Sequence, residues 1–332
     1  MLVAVLCGAT AIGKSALALE LAKANGFEIL SADSRQIYRG LEIGTGAPTS
    51  AEKASVPHHL TGFVDPAETF SPREYPAHVH RLLDARPGTR FLLVGGTGLY
   101  LKELLFPSPF DRGPTPENVK AEVQERIRKE GLPALHAELL RLDPEGARAL
   151  HPNDGYRIAK RLENLLLTGE SYARFTGPPI PDPRFRGVPI LWLDADREAL
   201  YRRIDARVEA MVRNGWIDEA RSLARNPAWR TLPAFTSLGY AEMTDVAEGK
   251  MPLDKAMALV QKRTRNYAKR QITFFRRQLP GAEPWDADRL RAALVDCGWH
   301  WETFLKSRPA PETAGNQGVK GTVPLTGRPG GD

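Results

Sequence analysis

The chain has 332 residues, enough for two domains, and its 42% hydrophobic and 26% charged residues are ordinary for a water-soluble globular protein. No apolar run predicts a transmembrane helix, and the first apolar segment leads into a glycine-rich motif rather than a signal-peptide cleavage site. The two cysteines, Cys7 and Cys297, predict neither a disulfide framework nor a zinc site, which favours a reducing cytoplasm. The net charge of +6 points only weakly to a polyanionic partner until its position is known.

The first motif of the chain is a phosphate-binding loop. Residues 8–15, GATAIGKS, match G-x-x-x-x-G-K-[ST] in full, between a predicted strand at Leu2–Leu6 and a predicted helix at Ala16–Ala24. Inward-pointing N–H groups, the helix N-terminus and Lys14 would bind a phosphate, and the Ser15 hydroxyl would hold Mg²⁺. The predicted diphosphate contacts are Gly8, Ala9, Thr10, Ala11, Ile12, Gly13, Lys14 and Ser15. The motif alone leaves open a kinase, an ATPase and a diphosphate-releasing transferase.

The order of strand and helix patterns predicts an α/β fold. Short strands at Phe27–Ala32 and Arg90–Val94 alternate with helices, which indicates a parallel sheet covered on both faces. A strand-free, charged and amphipathic stretch follows, and the sheet resumes at Val188–Ala195, before long helices at Arg197–Gly215 and Leu253–Gln278. The predicted division is a core of residues 1–112 and 188–305, a helical insertion of residues 113–187 and a disordered tail of residues 306–332.

Polar side chains follow the second and third predicted strands. Because ligands of open parallel sheets bind beyond the carboxyl ends of the strands, Asp33 would lie near the phosphate loop as a general base or a Mg²⁺ ligand. An N-cap of the next helix is an equally good interpretation. In the stretch VGGTGLY, Gly95 and Gly96 would allow close backbone approach and Thr97 would offer a hydroxyl at the same sheet edge, although an ordinary tight turn explains them equally well.

Two smaller patterns have both a functional and a structural interpretation. Arg203 and Arg207 lie four residues apart, so they share one helix face that would close over an anion. Pairing with the nearby acids Asp205 and Glu209 on a solvated helix is the alternative, and the pattern alone favours it. The adjacent histidines of VPHHL, residues 56–60, diverge in any regular element, so structural hydrogen bonds are predicted for them rather than metal binding.

The strongest concentration of charge is the stretch QKRTRNYAKRQITFFRR at residues 261–277. It carries seven lysines or arginines, no acid and three interleaved aromatic residues. A solvated helix face normally carries both signs of charge, so an unneutralised basic stripe with aromatics favours nucleic-acid binding. Lys262, Arg265 and Lys269 follow helical spacing and are predicted to share one face.

Taken together and in this order, the motifs resemble the bacterial tRNA dimethylallyltransferases, also called tRNA isopentenyladenosine synthases. The resemblance covers about residues 3–277 and rests on GATAIGKS, ADSRQIY, LEIGTGAP, VPHHL, LLVGGTGLYLKELL, HPNDGYRIAKRLENLLLTGES, LYRRIDARV, SLGYAE and TRNYAKRQITFFRR. A phosphate loop is common to many families, whereas DSRQIY, GGTGLY and YAKRQ together are specific. The resemblance implies a P-loop NTPase-like parallel sheet core with a helical insertion domain.

The family's activity assigns a role to each motif. The resemblance implies transfer of a dimethylallyl group from dimethylallyl diphosphate to N6 of the adenine 3′-adjacent to the anticodon, in tRNAs that read codons beginning with U. Diphosphate would leave from the phosphate loop with Mg²⁺ as cofactor and Arg207 as a neutralising group. Asp33 would accept the N6 proton and Thr97 would contact the substrates, once the adenine has flipped out of its stack.

The resemblance also implies a grip on the tRNA anticodon stem-loop. The implied tRNA contacts are Asp33, Ser34, Arg35, Gln36, Thr97, Lys120, Tyr156, Arg157, Lys160, Arg161, Lys262, Arg265, Lys269 and Arg270. Many relatives carry Gln-Arg-x-x-Arg where this chain has residues 156–160, so the contact keeps its charge but loses an amide and an arginine fork. Lys120 stands for a family arginine. The chain is expected to act as a cytoplasmic monomer, without a membrane or an obligate protein partner.

Three alternatives differ in chemistry. A small-molecule kinase would use the same loop and Asp33, but it leaves the insertion and the basic stretch unexplained. A non-catalytic RNA-binding module would not need the complete set of Gly13, Lys14 and Ser15. A DNA-dependent ATPase would use an aspartate that ends a strand, as Asp194 does, but Asp194 comes after the insertion and lacks a following acid.

Overall fold

The computed structural model describes residues 1–107, 115–148, 150–175 and 179–307. Its sheet has the order β3-β2-β4-β1-β5-β6, and every neighbouring pair is parallel. The strands are β1 (Leu2–Gly8), β2 (Glu28–Ser31), β3 (His58–His59), β4 (Phe91–Gly95), β5 (Ile190–Asp194) and β6 (Ala282–Asp286). The central strand β1 is buried along its whole length because helices cover both faces of the sheet.

Side chains of β1 alternate between two hydrophobic cores. Val5 and Cys7 pack in one core, whereas Ala4 and Leu6 pack in the other. The helices are α1 (Lys14–Asn25), α2 (Glu42–Thr45), α3 (Ser50–Ser55), α4 (Tyr75–Ala85), α5 (Gly98–Leu105), α6 (Glu117–Glu130), α7 (Leu132–Leu142), α8 (Pro144–Ala147), α9 (Gly155–Thr168), α10 (Arg197–Arg213), α11 (Trp216–Leu223), α12 (Tyr240–Ala247), α13 (Leu253–Gln278), α14 (Ala287–Asp296) and α15 (Trp301–Ser307). The predicted α/β fold with a covered parallel sheet is confirmed.

The predicted elements of the core agree with the structure to within about two residues at most ends. The long basic helix α13 has the predicted bounds, and α10 ends at Arg213, two residues earlier than predicted. The edge strands β3 and β6 were not predicted. β3 has only two residues, and β6 has the sequence AEPWD, whose proline and acids are tolerated because it lies at the sheet edge.

The segment between β4 and β5 carries α6 to α9 and its own hydrophobic cluster. The cluster consists of Val123, Leu135, Leu139, Ala147, Leu150, Ile158, Ala159 and Leu162. The chain then returns to the core, where the Asp182 N–H donates to the Leu105 carbonyl at 2.9 Å and Arg184 pairs with Asp84 at 2.7 Å. A helical insertion that folds as its own unit needs its own hydrophobic core, so this cluster agrees with the proposed insertion of residues 113–187. Of the predicted disordered tail, residues 306–332, Lys306 and Ser307 form the end of α15, and the rest lies outside the described residues.

In the part of the chain that the structure describes, no helix is both long enough and apolar enough to cross a bilayer.

Candidate active site

A cavity of about 490 Å³ opens at the carboxyl ends of the strands, where the sequence predicted the ligand to bind. The phosphate loop, the turn after β2, the loop after β4 and one face each of α10 and α13 surround it. Its ionisable and polar lining includes Lys14, Ser15, Asp33, Arg203, Arg207 and Tyr267. The fold therefore brings together three motifs that lie far apart in the sequence.

The phosphate loop joins β1 to α1. Gly13 adopts a left-handed φ of 106°, and Ala11 adopts a φ of 62°, which costs energy for a residue with a Cβ. A Cβ at Gly8 would lie 2.8 Å from the Leu193 carbonyl of β5, so only glycine fits there. Lys14 Nζ donates to the Ala9 carbonyl at 2.7 Å, which holds the ammonium group against the loop.

Burial changes the acidity of the loop lysine. Burial lowers the pKa of Lys14 to about 8, the Asp33 carboxylate opposes that shift, and the Arg207 guanidinium adds to it. The same burial raises the pKa of the Cys7 thiol to about 12, so that thiol stays neutral beneath the lysine. The cavity therefore contains a lysine that is charged at neutral pH and that titrates just above it.

Asp33 follows β2. Its contacts agree with both interpretations of its position, a capping residue and a carboxylate of the ligand site. Its Oδ1 accepts the N–H groups of Arg35 at 2.8 Å and Gln36 at 3.3 Å, so the carboxylate caps the turn. It also lines the cavity, where its charge acts on Lys14 and Arg207. A carboxylate fixed by its own backbone and facing two cations is oriented for proton transfer, and its role as the base stays a prediction.

The loop after β4 is tied to the turn after β2. Thr97 Oγ1 accepts the Ser34 N–H at 2.9 Å, and Tyr267 of α13 also hydrogen-bonds to the Thr97 side chain. Burial raises the pKa of Tyr267 to about 12, so its hydroxyl stays protonated at physiological pH. Thr97 thus belongs to the wall between the two strand ends.

Gly95 and Gly96 line the cavity, and each allows a close approach by another part of the protein. A Cβ at Gly95 would lie 2.1 Å from the Ala32 carbonyl oxygen, and one at Gly96 would lie 2.5 Å from Gln271 Nε2. The space that each glycine leaves is therefore filled by the protein itself. These glycines let β2 and α13 pack against the loop.

The two arginines of α10 do face the cavity. Arg207 Nη2 donates to the Thr45 carbonyl at 3.2 Å; burial lowers its pKa, and Asp33 opposes that shift. Arg203 Nη1 donates to the Ile12 carbonyl at 3.4 Å, and its other nitrogen lies 3.5 Å from Asp288. The alternative of pairing within α10 is wrong for these residues. Asp205 pairs with Arg265, and Glu209 pairs with Arg213.

The prediction of an unneutralised basic stripe on α13 is wrong in part. Arg263 pairs with Glu242, Arg265 with Asp205 at 2.6 Å and Arg276 with Asp194 at 3.5 Å. The acids come from α12, α10 and β5, which no local pattern in α13 reveals. Arg265 consequently points toward α10. It does not share an exposed face with Lys262 and Lys269, as the sequence predicted.

Three predicted tRNA contacts on α13 remain at the surface. Lys262, Lys269 and Arg270 are exposed. The Lys269 ammonium lies 5.9 Å from the Tyr201 ring centre, and the Arg270 guanidinium lies 5.8 Å from the Tyr267 ring centre. Arg270 is therefore close to the wall of the cavity, since Tyr267 lines it.

The other predicted tRNA contacts fall into two groups. Arg35 and Gln36 line the cavity and donate to Thr236 Oγ1 at 2.9 Å and to the Gly46 carbonyl at 3.0 Å, and Ser34 adjoins them. The remaining contacts lie on α6 and α9 of the insertion. Each forms a local contact: Lys120 with Glu117 at 3.0 Å, Arg157 with Asp154 at 3.1 Å, Lys160 with Glu163 at 2.6 Å and Arg161 over the Tyr172 ring at 4.4 Å. Tyr156 is fully turned outward, with 73% of its surface exposed.

The histidines of VPHHL form the predicted structural hydrogen bonds. His58 Nδ1 lies 2.7 Å from the Val56 carbonyl, and His59 Nε2 lies 2.6 Å from Glu28. In the described ranges, no three His, Cys, Asp or Glu side chains are grouped closely enough to hold a metal.

Two residues important for the geometry were not among the predicted site residues. Gln271 contacts both glycine-rich loops, and its spacing from Tyr267 is a helical repeat that would have placed it on the same face. Glu219 accepts the N–H groups of Ile43 at 2.7 Å and Gly44 at 3.0 Å, which fixes the segment that contacts Arg207. Nothing in the sequence links residue 219 to residue 43.

A parallel α/β sheet with a phosphate loop after its central strand and a cationic cavity beside it is typical of the phosphate-loop enzymes. The sequence model of the IPP transferase family matches residues 36–278, and that of the isopentenyl transferases matches residues 1–58. The chain belongs to the IPP transferase family. The resemblance found in its motifs is thereby confirmed.

Individual relatives agree with this assignment. The tRNA dimethylallyltransferase of Geobacter metallireducens is 44% identical over 276 residues, covering 81% of this chain and 88% of that protein. That of Rhodopseudomonas palustris strain CGA009 is 44% identical over 283 residues, covering 83% and 86%. These relatives give the kinase alternative no support.

Solved structures show the same fold. The full-length tRNA isopentenylpyrophosphate transferase of Bacillus halodurans is 32% identical with a TM-score of 0.62, covering 92% of this chain and 98% of that one. A eukaryotic dimethylallyltransferase acting on tRNA has a TM-score of 0.76 at 24% identity, covering 94% and 81%. At that identity the second likeness shows the fold alone, and it confirms the phosphate-loop core.

Proposed function

We propose that the chain transfers a dimethylallyl group from dimethylallyl diphosphate to N6 of a tRNA adenine and releases diphosphate. The target adenine is the one 3′-adjacent to the anticodon in tRNAs that read codons beginning with U. The observation that supports this most directly is the placement of the Asp33 carboxylate opposite Lys14 and Arg207 in one cavity. Prenyl transfer to an amine needs these two functions together, a proton acceptor and a cationic site for the leaving group.

The cations of the cavity suit a departing diphosphate. Lys14 and Arg207 hydrogen-bond to carbonyl oxygens, which orient them without cancelling their charge. As the allylic C–O bond breaks, its electron pair and the developing negative charge pass to the diphosphate, which these two groups stabilise. Arg203 reaches the Ile12 carbonyl of the phosphate loop, but its charge is shared with Asp288 at 3.5 Å.

Magnesium fits this site as a companion of the substrate. Ser15 lines the cavity beside Lys14, and Mg²⁺ is commonly held by substrate phosphates, water and few protein oxygens. Ser15 would hold the ion, which supplies further neutralisation of the diphosphate when bound.

Asp33 supplies the other half of the chemistry. Adenine N6 is a weak nucleophile because its lone pair is delocalised into the ring, so removal of its proton as the new C–N bond forms favours the reaction. Two backbone N–H groups hold Asp33 Oδ1, which leaves the carboxylate oriented toward the cavity. The attacked carbon gains N6, loses the diphosphate oxygen, and the N6 proton passes to Asp33.

The size of the cavity agrees with two substrates. Its volume of about 490 Å³ lies within the roughly 300–1,000 Å³ usual for small-molecule sites, which is room for an allylic diphosphate and one base. A base can reach Asp33 only if it leaves its stack, so the tRNA loop must be splayed and the adenine flipped. The insertion and the exposed cations of α13 would hold the rest of the anticodon stem-loop.

The test is reaction of the purified protein with tRNA, Mg²⁺ and dimethylallyl diphosphate, followed by mass spectrometry of the nucleosides. N6-dimethylallyladenosine should form without ATP, and nuclease mapping should place it next to the anticodon of tRNAs that read U-initial codons. A strict ATP requirement or a phosphorylated product would contradict the proposal and favour a kinase. We further propose that the enzyme acts in the cytoplasm as a monomer, which sedimentation of the purified protein would check.

A further inference from the structure

Gln271 occupies an unusual position between the two glycine-rich loops. Its Oε1 accepts the Thr10 N–H of the phosphate loop at 2.9 Å, and its Nε2 donates to the Gly96 carbonyl at 2.8 Å. The side chain is buried, with 6% of its surface exposed. One amide therefore satisfies a donor of one loop and an acceptor of the other, because Gln carries an acceptor oxygen and a donor nitrogen on the same planar group.

The loop after β4 is shaped to receive this side chain. A Cβ at Gly96 would lie 2.5 Å from Gln271 Nε2, and one at Gly98 would lie 2.2 Å from the Phe274 ring. Gln271 and Phe274 are one helical turn apart, so α13 rests on two glycines of the same loop. Tyr267, one turn earlier, hydrogen-bonds to Thr97 between them. The whole loop is in this way held by one face of α13.

The contact with Thr10 bears on phosphate binding. Thr10 immediately precedes Ala11, whose left-handed φ of 62° has to be maintained by its neighbours. Gln271 fixes the loop on one side of Ala11, and Lys14 fixes it at Ala9. The direction of the inward N–H groups thus depends on a side chain from α13.

The same helix carries exposed cations on its outer side. Lys262, Lys269 and Arg270 are exposed, and Arg270 stacks near Tyr267. A rigid helix that contacts RNA on one side and the phosphate loop on the other connects the two substrates physically. We propose that Gln271 is the positioning residue through which α13 sets the phosphate loop for diphosphate, and that RNA bound to α13 strengthens diphosphate binding through it. The RNA half of this inference rests on the proposed function.

The experiment measures binding of inorganic diphosphate with Mg²⁺ by calorimetry, with and without an anticodon stem-loop RNA. In the unaltered protein the RNA should tighten diphosphate binding by at least about fivefold, the lower end of usual coupling between sites. Gln271→Met, which keeps the length but loses both hydrogen bonds, should weaken diphosphate binding by roughly tenfold and abolish the effect of RNA. The affinity for RNA alone should not change.

Gln278→Met is the matched control, because Gln278 is an exposed residue near the end of the same helix. It should leave both affinities and their coupling unchanged. Gln271→Glu has the same volume and keeps the acceptor for Thr10, but it opposes the Gly96 carbonyl with a second acceptor. It serves if Gln271→Met does not fold, and it should also lose the coupling. In steady-state assays both Gln271 variants should raise the KM for the donor and leave kcat at saturation within about threefold.

A purely structural role would lower the melting temperature of the Gln271 variants and leave diphosphate affinity and coupling intact, which would overturn the inference. An unaltered protein whose diphosphate affinity ignores RNA would overturn it as well. Failure of the proposed function would look different, because the unaltered protein would then form no prenylated nucleoside. The binding measurements do not depend on that product.

Discussion

The cations of the cavity and the cations of the insertion are held in different ways. Lys14 and Arg207 donate to backbone carbonyls, which orient them without cancelling their charge, and one carboxylate, Asp33, acts on both. Arg157 and Lys160 of the insertion instead each pair directly with a carboxylate of their own, Asp154 at the N-cap of α9 and Glu163 within α9. An entering anion therefore meets net positive charge in the cavity, whereas an anion that approaches either insertion residue must first displace a carboxylate. The cavity suits strong binding of one compact anion, and the paired cations of the insertion suit only weaker contacts.

The largest effect is expected from Asp33, the cavity carboxylate whose charge acts on Lys14 and Arg207. Asp33→Asn keeps an oxygen that caps the turn at Arg35 but cannot take up a proton, so turnover should fall by roughly 10²–10⁴-fold. Donor binding should be unchanged or tighter, because the charge opposing Lys14 and Arg207 is removed. Single-turnover rates and donor affinity measured on the same variant test this. A collapse of donor affinity with normal turnover at saturation would make Asp33 a capping residue only.

Loss of a cavity cation that forms no direct ion pair should come next. Arg207→Ala removes a guanidinium aimed at the leaving group, and turnover should fall by roughly 10²–10³-fold, as for other donors that stabilise developing charge. Arg213, at the exposed end of the same helix, pairs with Glu209 and provides the control. Arg213→Ala should leave kcat unchanged. Equal losses in the two variants would show that α10 acts through its stability, and the contrast between free and paired cations would not hold.

The exposed cations of α13 should affect affinity and not chemistry. Replacing Lys262 and Lys269 by Ala removes up to two phosphate contacts, so the log–log salt dependence of tRNA binding should become shallower by about one to two units. Arg265, which is paired with Asp205, is the matched comparison, and Arg265→Ala should leave the slope unchanged. A salt titration of tRNA binding decides this. A slope that changes with Arg265 instead would place the RNA on the α10 side of the helix.

Removing a competing carboxylate from the insertion should strengthen RNA binding. Asp154→Asn keeps an oxygen for the cap at the Arg157 N–H but frees the Arg157 guanidinium. Exposed ion pairs are worth about 0–1 kcal/mol, so the gain in tRNA affinity should not exceed about fivefold. Competition binding against the unaltered protein at low salt measures it. Weaker binding in this variant would mean that the pair itself positions Arg157 for the RNA.

The smallest expected effect is the uptake of less than one proton by Lys14 when diphosphate binds. Since burial lowers the pKa of Lys14 to about 8, part of the lysine population is neutral at pH 8 before an anion binds. Bound diphosphate favours the charged form and raises that pKa, so binding at pH 8 should take up protons, and affinity should fall as the pH rises above 8. Calorimetry in buffers of different ionisation enthalpy counts the protons. No uptake at pH 8 would mean that Lys14 is fully charged in the free protein.

The elements that sequence predicted best are those whose signal is local. The phosphate loop, the strands around it and α13 follow from spacing and apolar periodicity, and each agrees with the structure. The charges of α13 were misjudged because their partners, such as Asp205 and Glu242, come from other helices. Ion pairs between different helices or strands depend on how those elements pack. The spacing of residues along a single sequence does not reveal that packing.

The same distinction separates the predicted from the missed site residues. Asp33 and Thr97 end strands of a parallel sheet, so their shared edge is predictable, and the structure places them around one wall through Ser34. Gln271 and Glu219 act by contacting backbone groups of distant loops. Every residue except proline has a backbone N–H group, so the residue type that such a side chain contacts gives no hint of the contact. Such contacts become visible only when the fold is known.

The order of strands in the sheet governs when the donor site can form during synthesis. β1 leaves the ribosome first, but its neighbours begin at Phe91 and Ile190, and the whole insertion lies between them. Gly8, where the phosphate loop starts, is aligned with Leu193 and packs against its carbonyl. At roughly 5–20 residues per second, β1 waits on the order of 10 s or longer for that partner. The nascent chain therefore completes its helical insertion before the phosphate loop can take its final form, and it cannot bind donor there until β5 has been made.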